Sequence, residues 1–135
     1  MAQIEWSEGL SVGVPSLDEQ HKRLIFLTDV LFTSIMEDRG PEVVADVLRQ
    51  LEEYATYHFR YEEELMVAHA YPDFAAHVAE HAGMLRRVRE YLEAAQRDPA
   101  LLDIVVYDFL RNWTVTHLEK TDMRCGAFLV RCGVR

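Results

Sequence analysis

The sequence predicts an all-α protein, an up-down-up-down four-helix bundle with an irregular N-terminal arm. Three observations carry that expectation. Apolar residues recur at helical spacing through four long segments, and strict period-two alternation is absent. The breaker pairs Gly40-Pro41, Tyr71-Pro72 and Asp98-Pro99 separate those segments. Finally, five of the six histidines and two carboxylates come level when the chain is folded back at the breakers. Facing residues of a helical hairpin lie symmetrically about its loop. The midpoint of His21 and His58 falls between Arg39 and Gly40. That of the pairs His58/Glu62 and His77/His81 falls at His69-Ala70, and that of His77/His81 and His117/Asp122 falls at Asp98-Pro99.

Each element follows in order. Residues 1–16 form the arm, broken by Ser7, Gly9, Ser11, Gly13 and Pro15, with Ile4 and Trp6 available to pack on the bundle. The first helix is expected over about 17–38, on a stripe of Leu17, His21, Leu24, Ile25, Thr28, Leu31, Phe32 and Ile35. The second, 41–68, starts on Pro41, a favourable first-turn residue. Its stripe runs Val44, Val47, Leu48, Leu51, Ala55, His58, Glu62, Leu65 and Met66. The third, 73–96, carries Phe74, His77, Val78, His81, Leu85, Val88 and Leu92. The fourth, 99–123, takes Asp98 as its N-cap and faces inward with Leu102, Val106, Phe109, Trp113 and His117. A short C-terminal segment follows, in which Cys125-Gly126 blurs the helical signal.

The chain has 135 residues, half of them hydrophobic, which suits one domain, residues 1–135, with one substantial core. Net charge is −9, from 23 acidic and 14 basic residues, which argues against nucleic acid as a partner, since phosphate binding needs clustered Lys and Arg. No apolar run approaches the roughly 20 residues of a membrane span. The opening residues lack the basic and apolar regions of a signal peptide, so a cytoplasmic location is expected. Cys125 and Cys132 lie about 10 Å apart along one helix, too far for a disulfide, and read as structural free thiols.

The chemistry lies in the polar residues set on apolar stripes. A lone histidine there is most often a core residue bonded to backbone. A buried glutamate is different, because burying a charge costs several kcal/mol unless it is paired or on a metal. Nothing basic on the facing stripes pairs with Glu62, whereas Glu63 and Glu64 rotate towards solvent. His58 with Glu62, and His77 with His81, are four apart and share a helix face. Asp122 is five from His117, about 140° round an α-helix, so its place at the site requires a bridging geometry or local unwinding. The seven candidate ligands are His21, His58, Glu62, His77, His81, His117 and Asp122, more than the four of a tetrahedral site. Nitrogen and carboxylate ligands in a bundle core suit a pair of iron ions. If both carboxylates bridge, the seven fill nine of twelve positions on two octahedral ions. A shared solvent oxygen fills two more, and one stays open for a small molecule such as dioxygen.

At these residues the chain resembles the hemerythrin family, of the single-domain bacterial kind. The matching stretches are Trp6 with Val12-Gly13-Val14 and Leu17-Asp18-Glu19-Gln20-His21; His58-Phe59-Arg60-Tyr61-Glu62-Glu63-Glu64-Leu65-Met66; Tyr71-Pro72 with His77-Val78-Ala79-Glu80-His81; and Trp113 with His117-x-x-x-x-Asp122. The resemblance implies a left-handed bundle around a non-haem di-iron centre that binds dioxygen reversibly, for storage, transport or delivery, and is not an enzyme. It assigns His77, His81 and His117 to one iron and His21 and His58 to the other. Glu62 and Asp122 would bridge them with an oxo or hydroxo group. Ile25, Phe59, Trp113, Thr114 and Leu118 would line the oxygen pocket. Thr114 departs from the family, whose members usually carry an aliphatic residue three before the histidine of the fourth helix.

Rival readings explain less. A ferritin-like di-iron oxidase uses Glu-x-x-His pairs, and this chain has none. His77-Val78-Ala79-Glu80-His81 matches the H-x-x-E-H motif of a class of zinc peptidases, but that reading leaves the other five candidate ligands unexplained. Oxygen or redox sensing would call for a linked signalling domain.

Overall fold

A computed structural model describes residues 4–135, leaving the first three residues of the expected arm outside the described set. The described residues form an all-helical four-helix bundle with no strand. Helices α1 (Pro15–Met36), α2 (Pro41–Ala68) and α3 (Phe74–Arg97) are long and unbroken. The fourth arm of the bundle is composite: α4 (Ile104–Thr116), a π-helical turn (His117–Asp122) and α5 (Met123–Arg131).

The differences from expectation lie at the ends. The first helix runs 15–36 rather than 17–38, because Pro15 already serves in its first turn and Asp38 leaves it with φ +52°. Three helix ends share one closing pattern. A residue of positive φ (Asp38, Ala70, Gly133) is followed by an amide donating to a carbonyl five residues back: Arg39 to Ser34, Tyr71 to Met66 and Val134 to Leu129. The fourth helix starts at Ile104 rather than at Pro99. The Asp98 side chain accepts from Ala100 N and closes only the short 3-10 turn Pro99–Leu101. Asp103 caps the helix proper, accepting from Val105 N at 3.0 Å. The helical course also continues past 123 to Arg131. Gly126 fits there because a Cβ at that position would collide with the backbone of Val12.

Packing divides the interior into two apolar layers. One holds Leu31, Val44, Leu48, Leu51, Val88 and Leu110. The other holds Val14, Leu17, Met66, Tyr71, Cys125 and Leu129. The arm lies against the bundle through Ile4 and Leu10, which pack with Ile25 and Leu118, and Ile4 N donates to the buried Tyr107 hydroxyl at 3.1 Å. The buried histidines and carboxylates lie on the same helices as these layers, on their inner faces. Among the described residues, no helix is long and apolar enough to cross a membrane.

Candidate metal centre

All seven candidate ligands are buried, none more than 4% exposed. α1 supplies His21, α2 supplies His58 and Glu62, α3 supplies His77 and His81, and the π-helical turn supplies His117 and Asp122. The π turn removes the 140° mismatch that α-helical geometry imposes on His117 and Asp122. Its hydrogen bonds run i to i+5, so residues five apart stack on one face. His117 Nε2 accordingly lies 3.1 Å from Asp122 Oδ1.

The donor atoms fall into two groups that share the two carboxylates. Glu62, His77, His81, His117 and Asp122 form one, and His21, His58, Glu62 and Asp122 form the other; within each, the donor atoms lie within 4.8 Å of one another. Each carboxylate divides its oxygens between the groups. Glu62 Oε1 is 2.6 Å from His77 Nε2 and 3.3 Å from His81 Nε2, whereas Oε2 is 3.8 Å from His21 Nε2 and 3.7 Å from His58 Nε2. Asp122 Oδ1 is 3.1 Å from His77 and from His117, and Oδ2 is 3.2 Å from His21.

The outer nitrogens of three imidazoles are tied down. His58 Nδ1 lies 2.7 Å from Gln20 Oε1, His81 Nδ1 2.8 Å from Glu63 Oε2 and His117 Nδ1 2.8 Å from Glu80 Oε1. All three partners are acceptors, so each Nδ1 carries the proton and, in the neutral ring, each Nε2 turns a lone pair inward. His81 Nε2 and His117 Nε2 face each other at 3.2 Å. Two inward lone pairs at that distance repel unless a cation or a proton lies beside them. Both Glu62 oxygens, Asp122 Oδ1, and both ring nitrogens of His21 and His77 have no hydrogen-bond partner of proper geometry. Orphaned buried donors and acceptors of this kind fit a metal pair, and the nitrogen and carboxylate mixture fits iron.

The two buried carboxylates and the histidines around them shift one another's titration. Burial pushes the His21 imidazole down, but Asp122 and Glu62 outweigh it and raise it from 6.5 to about 9. Burial opposes protonation of His77 as well, and Asp122, Cys125 and Glu62 raise it to about 12. Burial is the largest influence on His58 and takes it down to about 4 despite Glu62. Glu62 and Asp122 would be raised by burial, yet the surrounding histidines hold both well below the usual carboxylate range.

A largely enclosed cavity of about 20 Å³, room for one water-sized molecule, adjoins His21, His58, His117 and Asp122. Phe59, Trp113, Thr114 and Leu118 line it, joined by Leu24, Thr28, Leu51 and Met84, which sequence reasoning did not place there. Ile25 lies outside this lining and packs with Ile4, Leu10 and Leu118. Phe59 stacks on His81 with centroids 3.9 Å apart, and Trp113 stacks on His117 at 4.4 Å. Glu63 is the clearest correction. It does not simply face solvent, since its carboxylate holds His81. Gln20 and Glu80 were missed in the same way, and their only signal was adjacency to a candidate ligand. Glu80, the acid of the H-x-x-E-H motif, is engaged by His117 Nδ1 and Thr121 rather than aimed between His77 and His81.

Comparison with known proteins agrees with this architecture. The family described as "Hemerythrin HHE cation binding domain" matches residues 12–128. A bacteriohemerythrin of Stenotrophomonas maltophilia is 30% identical over 122 residues, covering 90% of this chain and 78% of its own. One from Methylococcus capsulatus is 30% identical over 132 residues, covering 96% and 98%. The crystal structure of a wild-type hemerythrin superposes with a TM-score of 0.88 at 27% identity, covering 95% of this chain and 98% of that one. With its family profile, its relatives and its fold in agreement, the chain belongs to the hemerythrin family.

Proposed function

We propose that this protein binds dioxygen reversibly at a non-haem di-iron centre and acts as an oxygen-binding protein rather than an enzyme. His77, His81 and His117 would hold one iron and His21 and His58 the other, with Glu62 and Asp122 bridging alongside an oxo or hydroxo group. The observation that carries this reading is the division of each carboxylate's oxygens between the two histidine groups. A single zinc ion has no use for two such carboxylates.

The asymmetry of the groups supports an open position on one ion. The group containing His77 supplies five side chains and the other four. With one shared solvent oxygen added, a six-coordinate ion held by the first group would be full and one held by the second would be one ligand short. The largely enclosed cavity touches both histidines of that second group, His21 and His58, and the shared Asp122, but of the first group's three histidines only His117. Two bound irons would supply the electrons that oxygen binding needs. The chain's part is to orient the imidazoles through Gln20, Glu63 and Glu80 and to keep bulk water out with Leu24, Leu51, Phe59 and Met84. Packing of the arm and α5 on the bundle supports reading residues 1–135 as one domain. Free Cys125 and Cys132 fit a reducing, cytoplasmic setting.

Metal analysis with anaerobic and aerobic visible spectra tests the reading. About two irons per chain are expected, with a nearly colourless reduced form that gains a visible band in air and loses it when oxygen is removed. One tightly held zinc and no iron would overturn it.

A further inference from the structure

The cavity beside His21 and His58 is enclosed on nearly every side. Every residue lining it is buried except Trp113, which is partly exposed. On its other side Trp113 lines an open surface groove of about 450 Å³ between α3 and α4, together with Glu80, Phe109, Asn112, Thr116 and His117. Trp113 and His117 are therefore the wall common to the groove and the cavity. The two are not equally fixed. His117 is anchored through Nδ1 to Glu80, which Thr121 also holds. Trp113 is held by apolar packing, at the edge of the core layer, stacked on His117 and tilted against Phe59 at 5.8 Å, and no hydrogen bond to its indole is found among the described residues.

We infer that Trp113 is the gate through which small ligands reach the cavity, its indole swinging into the α3–α4 groove to let a two- or three-atom ligand pass. The remaining walls are poor routes. Leu24, Leu51, Phe59 and Met84 belong to the buried core, and opening there would separate packed helices. Leu118 is covered by Ile4, Leu10 and Ile25. Swinging Trp113 moves one side chain into space that already exists, and side-chain rotation is far faster than helix separation.

A gate has a kinetic signature. It changes the rates of association and dissociation by a common factor, so their ratio moves far less than either. A residue that merely contacts the ligand changes dissociation chiefly.

This inference rests on the di-iron reading, and the test separates the two. Azide, a three-atom anion that ligates ferric iron, is mixed with oxidised wild-type, Trp113→Phe and Trp113→Ala proteins, and both rates are followed by absorbance. Trp113→Ala should accelerate both by at least about tenfold, with Trp113→Phe between it and wild type. In a Cys132→Ser background, Asn112→Cys modified with a bulky maleimide should fill the groove and slow both rates. Unchanged rates in both tryptophan variants, or a change confined to dissociation, overturn the gate while leaving the iron centre standing. Failure of azide to bind the wild-type protein counts against the iron centre itself.

A metal-free readout tests the gate independently. In Trp6→Phe protein, Trp113 is the one tryptophan. Its fluorescence should be quenched by acrylamide, and the label at position 112 should remove that quenching. Full quenching after labelling would show that the indole is not reached through the groove, and would overturn the proposal.

Discussion

Replacing Glu62 with alanine should damage this protein more than replacing either of its acidic neighbours, and the order of damage can be worked out. In the metal-free protein Glu62 stands beside the Nε2 atoms of His21, His58, His77 and His81, and it helps to hold His21 and His77 protonated. Removing one partner of a buried ion pair costs about 3–5 kcal/mol. Asp122 remains as a counter-charge, so the lower end applies, about 3 kcal/mol. At this chain length that corresponds to a fall in Tm of about 10 °C. Loss of the bridge should also remove the stabilisation that bound metal confers, about 2.7 kcal/mol at a hundredfold excess over Kd. Glu63 gives up one hydrogen bond to His81 from a side chain that is 30% exposed, so its replacement should cost about 1 kcal/mol. Glu64 is exposed, and its loss should go undetected. Thermal melts of the three alanine variants, each with and without iron, measure the series. Equal shifts for all three, or a Glu62 variant that keeps its iron and its Tm, would refute the placement of Glu62 at the heart of the site.

Other outcomes follow from the same geometry. Iron uptake near pH 7.5 should release protons. His21 and His77, raised above 6.5 to about 9 and about 12, are charged in the metal-free fold, and ligation requires the neutral ring. The stability His21 lends the metal-free fold is complete below about 6.5 and lost as pH rises through about 9, so the gain in Tm on adding iron should grow over that interval. Calorimetry in buffers of different ionisation enthalpy counts the protons, and heats that do not depend on buffer would contradict the assignment. Thr114 is a hydroxyl-bearing residue in the cavity wall, able to hydrogen-bond a water there; Thr114→Leu should lengthen the life of the oxygenated form, and a shorter half-life at the same pH and temperature would show that the hydroxyl protects it. Gly126→Ala should cost about 2–3 kcal/mol through collision with the Val12 backbone, read by denaturant titration, and a neutral result would mean that the arm yields there.

Much of the bundle was legible because helical periodicity and chain reversal are both local signals. The breakers at Gly40-Pro41, Tyr71-Pro72 and Asp98-Pro99 set the three hairpins, and facing levels then followed from counting along the chain. The fourth segment was harder to read. Pro99 suits a first turn, but the Asp98 side chain spends itself on a 3-10 turn, and Asp103 is the effective cap. The π turn at His117–Asp122 showed itself only as a conflict, an aspartate needed at the site yet about 140° off the face under α-helical geometry. Gln20, Glu63 and Glu80 were hidden for a different reason. Glu63 and Glu80 sit on partly solvated flanks of their helices, where carboxylates are ordinary. Gln20, though buried, is an amide next to a ligand with nothing in the sequence to aim it. Only tertiary placement turns the three towards an imidazole. The cavity wall was partly hidden too, because Leu24, Thr28, Leu51 and Met84 look like any other core positions.

Anomalous diffraction at the iron edge from crystals of the iron-loaded protein tests most directly whether these side chains hold two bridged ions. Two peaks about 3.5–4 Å apart are expected, one beside His77, His81 and His117 and the other beside His21 and His58, with Glu62 and Asp122 spanning both. A single peak, or two peaks with either carboxylate turned away from the space between them, would contradict the shared site.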